Sequence, residues 1–144
     1  MRWVAILVAA VIDWLFGAVW FTLFANQWKA GAPAQPGQAG MAHPNFWPFL
    51  IALLCDIVMA LAIARVVARS ETHGLLRGIT AGILVGLAAA AAMVTEMVFE
   101  IRPGPFILIA AGYPLLGSML MGIIIGSWRA KIGPQGRQPA PGKS

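Results

Sequence analysis

Four predominantly apolar runs, each long enough to cross a lipid bilayer, constrain this chain more than anything else in it. They cover residues 3–24, 47–67, 78–99 and 106–128. A helix rises about 1.5 Å per residue, so about 20 apolar residues cross a hydrocarbon core of about 30 Å. Within hydrocarbon each backbone N–H and C=O must find a partner inside the protein, so a run of this kind folds as an α-helix. Of the 144 residues, 60% are hydrophobic and 10% charged, against roughly 45–50% and 25% in a soluble domain. That leaves too little polar side chain to coat a water-soluble globule. The expected fold class is an all-α integral membrane protein, a four-transmembrane-helix bundle occupying residues 1–130. The remainder, 131–144, has the Gly/Pro/Gln composition of a flexible cytoplasmic tail.

The breaks between runs set the topology. Residues 26–45, NQWKAGAPAQPGQAGMAHPN, read as an extended surface loop. Residues 68–77, ARSETHGLLR, are short and charged, and 100–105, EIRPGP, form a tight turn where Pro103 stops one helix and Pro105 opens the next. The first run has the charged start of a signal peptide. It is longer than a signal core, however, and no small-x-small cleavage site follows, so it counts as a span. Eight basic residues (Arg2, Arg65, Arg69, Arg77, Arg129, Lys131, Arg137 and Lys143) fall on the side holding both termini, and only Lys29 and Arg102 on the other. By the positive-inside rule the bundle is N-in/C-in. The net charge of +5 then reflects orientation in a bilayer, and no nucleic-acid partner is expected. Trp3, Trp28, Trp47, Tyr113 and Trp128 are read as interfacial anchors.

Small residues recur at four-residue spacing, the pattern that lets membrane helices approach closely. Gly78, Gly82, Gly86 and Ala90 form one stripe, and Ser118, Gly122 and Gly126 another, with Gly117 beside it. In the first two runs the stripe contains a carboxylate: Asp13 stands between Ala9 and Gly17, and Asp56 belongs with Ala52, Ala60 and Ala64. Residues i and i±4 share a helix face, so both aspartates point toward other helices. Each lies ~14–15 Å into its span, at matching depth on adjacent antiparallel helices. A charged aspartate there costs ~2.5–3.5 kcal/mol on insertion scales, and no Lys or Arg occupies the middle of any span. At least one of the two is expected to be protonated or hydrogen-bonded.

Two readings of these carboxylates stay open. As bundle fasteners they would form interhelical hydrogen bonds of about 0.6 kcal/mol and at most about 2. As a functional path they would carry a proton, a cation or a small amphiphile, with Glu96, Glu100 and Arg102 forming an outer vestibule. The lone Cys55 excludes a disulfide framework. His43 and His73 fall in loops on opposite sides, and Met93 and Met97 suit apolar packing, so no metal or cofactor is expected. No nucleophile elbow, phosphate loop or zinc-protease pattern occurs, which argues against an enzyme. The leading expectation is a non-enzymatic accessory or scaffold component, in contact with the lipid bilayer and associating with itself or a larger membrane complex.

The stretches WVAILVAAV…FGAVW, MVFEIRPGPFILIAAGY and MGIIIGSW resemble the small four-span bacterial membrane proteins of the DUF1761 family over about residues 1–130. Gly17, Trp20, Phe99-Glu100, Pro103, Gly112-Tyr113 and Gly122 carry the resemblance. It implies a four-helix fold in the bacterial inner membrane and brings no known activity, ligand or active site. Because the family pattern has a small or apolar residue at the position of Asp13, the resemblance favours Glu100 over Asp13 as a functional residue.

Overall fold

The computed structural model describes residues 2–31, 46–69 and 74–130. The Gly/Pro-rich part of the first loop with His43, the loop residue His73, and the tail 131–144 lie outside the described residues. Among the described residues five helices follow one another: α1 (Arg2–Leu23), α2 (Ala25–Gly31), α3 (Trp47–Arg69), α4 (Leu75–Phe99) and α5 (Gly104–Ala130). Four of them, all but α2, are long and apolar enough to cross a membrane. Their outward surfaces are apolar, with Val58, Leu84, Leu87 and Leu108 all exposed, as expected where lipid is the solvent.

Two sequence expectations need correction. Residues 26–45 are not an extended loop throughout, because Ala25–Gly31 is helical. The segment ANQWKAG has no proline and ends in its single glycine, so the helix continues after one turn residue. The bonds Phe24 N–H to Trp20 O at 3.1 Å and Trp28 N–H to Phe24 O at 2.8 Å carry it across the junction. The charged break at 68–77 is also shorter than its composition suggests. α4 starts at Leu75, taking Leu76 and Arg77 out of the supposed loop, because the break in the chain is Gly74 at φ 85°. Leucine and arginine are good helix formers, and charge alone does not end a helix.

The α4/α5 pair is the tightest contact in the bundle. The carbonyls of Gly78 and Gly122 each stand where the other residue's Cβ would be, and a Cβ on Gly82 would overlap Ser118 O. Toward the other end, a Cβ on Gly86 would lie 2.9 Å from Leu115 Cα and 3.0 Å from Pro114 O. The two helices therefore meet backbone to backbone in antiparallel register along both small-residue stripes. Gly78, Gly82, Gly86, Ala90, Ser118, Gly122 and Gly126 are all buried, as their spacing predicts. In α3 the pattern holds for Asp56 and Ala60 but not for Ala52, which is exposed. The central core joins Ala9 and Ala10 of α1 with Ala60 and Ile63 of α3 and Met121 of α5.

The α4–α5 turn ends α4 by hydrogen bonding before the prolines take effect. Ile101 N–H bonds Val98 O and Arg102 N–H bonds Met97 O, both at 3.1 Å. This is the paired pattern of a Schellman motif, whose C′ residue is usually glycine in the left-handed region. Here that position is Ile101, at φ 57° and 91% exposed. A β-branched residue in this conformation costs roughly 1–2 kcal/mol, and an exposed side chain returns little packing. Ile101→Gly is expected to stabilise the protein by about 0.5–1 kcal/mol, after allowing for glycine's larger unfolded-state entropy. Thermal unfolding in detergent would show a raised midpoint, and an unchanged or lowered one would mean that the strain is absorbed elsewhere.

Candidate functional site

Asp13 and Asp56 lie near the middles of α1 and α3, and the structure brings them together. Asp13 is 3% exposed and Asp56 7%. The Asp13 carboxyl is within hydrogen-bonding reach of both Asp56 and the Tyr113 hydroxyl of α5. Glycines on facing helices make this approach possible. Asp13 Oδ1 occupies the space where a Gly117 Cβ would stand, while a Cβ on Gly17 would lie 2.9 Å from the Tyr113 hydroxyl. The stretches DWLFG (13–17) and YPLLG (113–117) thus interlock on antiparallel helices, each polar side chain filling the notch of the other's glycine. One residue beyond Asp13, the Trp14 indole N–H donates to Phe49 O at 3.1 Å and pins α1 to α3.

The buried polar groups are not all satisfied. The hydroxyls of Thr22, Thr80 and Thr95 donate to carbonyls one turn back, at 2.6, 2.9 and 2.9 Å, which is how a hydroxyl survives on an apolar surface. Asp13 Oδ1, Asp56 Oδ2 and Ser118 Oγ are buried with no hydrogen-bond partner, as is Arg77 Nε near the start of α4. Among the described residues no basic side chain forms an ion pair with either carboxylate. A carboxylate is an acceptor only, so a hydrogen bond between two carboxyl groups must contain a proton. The pair can hold one proton between its oxygens or face one small cationic group.

Tyr113 was expected at an interface, as an anchor. It lies instead beside the buried carboxyls at one end of a file of aromatic rings. Its ring is 6.1 Å from Phe16 and 5.3 Å from Phe21. Phe21 is 4.8 Å from Trp28, and Trp28 stacks on Phe106 at 4.4 Å. Trp20, whose indole N–H donates to Ile109 O at 3.0 Å, flanks the file through Phe16 and Phe24. The file runs from the carboxyl pair to the end of the bundle where α2 meets the α4–α5 turn. There Arg102 lies 5.9 Å over the Phe106 ring, donates to Gly31 O at 3.5 Å and pairs with Glu100 at 2.8 Å.

Glu96 and Glu100 are exposed near the end of α4. Because α1 and α4 are not neighbours, the structure does not bring these two residues to Asp13. Arg102 pairs with Glu100 and fastens α2 through Gly31 O. Among the described residues no group of three or more His, Cys, Asp or Glu side chains converges as metal ligands would. The sequence reading missed Tyr113 as a partner of Asp13 and missed the aromatic file. The signal for the first was available in the matched polar-xxx-Gly spacing of 13–17 and 113–117. The second depends on α2, which its composition concealed.

Neither a curated protein nor a solved structure matches the chain. A family model described as a protein of unknown function, DUF1761, matches residues 4–126. That match takes in α1, α3 and α4 almost entirely and most of α5, including both aspartates, Tyr113 and the interlocking glycines, and on it the chain belongs to the DUF1761 family.

Proposed function

We propose that this protein is a non-enzymatic, multi-pass protein of the bacterial inner membrane, with both termini cytoplasmic, that binds a proton or cation at the Asp13–Asp56 pair as a carrier or binding protein. The observation that carries the reading is the pair of buried carboxyl oxygens left without partners, Asp13 Oδ1 and Asp56 Oδ2. An interhelical hydrogen bond contributes about 0.6 kcal/mol in a membrane, less than the ~2.5–3.5 kcal/mol that one aspartate costs to insert. A purely structural role would favour a serine or asparagine, which fastens helices at lower cost. The accessory or scaffold reading has no residue of its own to support it beyond the apolar surface that every span shows to lipid.

Infrared spectroscopy of the protein in lipid vesicles tests the reading through the C=O stretch of protonated carboxyl groups. The native protein should show a band that changes with pH and that is missing from the Asp13→Asn/Asp56→Asn variant. Identical spectra for the two proteins at every pH would overturn the proposal.

A further inference from the structure

The space around the carboxyl pair decides between the two occupants that its oxygens allow. We infer that the pair holds a single proton, carried by Asp13 and donated to an ionised Asp56, and that the seating of Asp13 against Gly117 shuts out larger cations. This rests on the proton-or-cation reading above and names which of the two is bound.

The whole Asp13 carboxyl lies against α5. Its Oδ1 fills the position of a Gly117 Cβ, with Cγ 3.0 Å and Oδ2 3.2 Å from the same point. Asp56 Oδ2 is buried as well. A metal ion or an organic ammonium would have to push Asp13 out of its notch, and so part α1 from α5, before it met the oxygens. A hard metal ion also takes about six oxygen ligands, whereas among the described residues no third His, Cys, Asp or Glu joins the two acids. A proton needs no such room. It lies between two oxygens already within hydrogen-bonding reach, and it travels along hydrogen bonds, not through a cavity.

Burial and hydrogen bonding tell the two acids apart. In an ionised carboxylate the charge spreads over both oxygens, and setting one of them against carbon without a donor is costly. In a neutral acid the same oxygen is an uncharged carbonyl. Asp13 Oδ1 is placed in this way, in the Gly117 notch with no partner. Asp56 also has one unpartnered oxygen, but at 7% exposure against 3% it is the less enclosed of the two, and the single negative charge falls there. The Tyr113 hydroxyl hydrogen-bonds Asp13 and not Asp56. A chain therefore runs one way, from Tyr113 to Asp13 to Asp56, each O–H donating to the next oxygen. The ionisable groups at the pair are Asp13 from α1, Asp56 from α3 and Tyr113 from α5. Cys55 of α3 is exposed, and the other charged side chains among the described residues, those of α4 included, stand toward the helix ends.

Infrared spectra of the full chain in lipid nanodiscs test the assignment with single variants. At neutral pH Asp56→Asn should keep the protonated-carboxyl band, because Asp13 can donate to the asparagine oxygen. Asp13→Asn should lose it, because the ionised Asp56 accepts from the asparagine amide. Sodium, potassium, calcium or tetramethylammonium chloride, added to the native protein at constant pH, should leave the band intensity unchanged. Loss of the band in Asp56→Asn, or its retention in Asp13→Asn, would overturn the assignment of the proton. A saturable loss of the native band on adding any of the four salts would overturn the exclusion of larger cations. Each of these results leaves the proton-or-cation reading standing. A native spectrum identical to that of the Asp13→Asn/Asp56→Asn variant at every pH would remove the reading itself.

Discussion

Leucine at Gly82 or Gly122 is expected to separate α4 from α5 and to remove most of the folded protein from a mild-detergent extract. A Cβ on Gly82 overlaps Ser118 O, and one on Gly122 overlaps Gly78 O. Overpacking a core usually costs about 1–3 kcal/mol because side chains shift to make room. Backbone atoms have no such freedom, so these substitutions fall at or above the top of that range. Gly104→Ala is the matched control. It lies at the start of α5 with nothing within 4 Å of its Cβ position, and its unfolding midpoint should stay near that of the native protein. If Gly82→Leu extracts and melts like Gly104→Ala, the close contact of α4 with α5 is wrong.

Removing both buried carboxyls is expected to stabilise the protein while abolishing its response to cations. Replacing buried ionic groups by well-packed apolar residues of similar volume is often neutral or stabilising by about 1–4 kcal/mol, because desolvation outweighs the attraction recovered, and asparagine removes the same charge. Asparagine keeps the shape of aspartate and can still accept from the Tyr113 hydroxyl. The Asp13→Asn/Asp56→Asn protein should therefore unfold at a higher temperature than the native one at neutral pH. The fastener reading demands the opposite, since it counts the carboxyl contacts as part of what holds the bundle. A lower melting temperature for the double variant, with an infrared carboxyl region no different from that of the native protein, would establish that reading and remove the ligand site.

Most of this fold is legible in the sequence, because hydrocarbon simplifies the problem. Where backbone groups have no water to turn to, apolar length specifies a helix, and glycine at every fourth position specifies where two helices touch. The Gly78–Gly82–Gly86 stripe could be read for that reason. The short helix α2 could not, because a seven-residue helix has little stability of its own and is held by Trp28 on Phe106 and by Arg102 on Gly31 O. Those are tertiary contacts with α5 and its preceding turn, distant in sequence. For the candidate site, depth and face placed Asp13 and Asp56 together. Their third partner was hidden because one tyrosine in an apolar run looks like any interfacial aromatic until the opposing glycine is recognised.

The interlock at the site also divides the molecule mechanically. Asp13 and Asp56 belong to α1 and α3, which Trp14 joins through Phe49 O, whereas Tyr113 and Gly117 belong to α5, bonded face to face with α4. The α4–α5 half cannot flex internally without parting backbone from backbone. Across the other seam, side chains seated in glycine notches can withdraw without such a cost. The bundle thus has one rigid pair, α4–α5, on which α1 and α3 are seated by side chains alone, among them Trp20 on Ile109 O and Asp13 in the notch of Gly117.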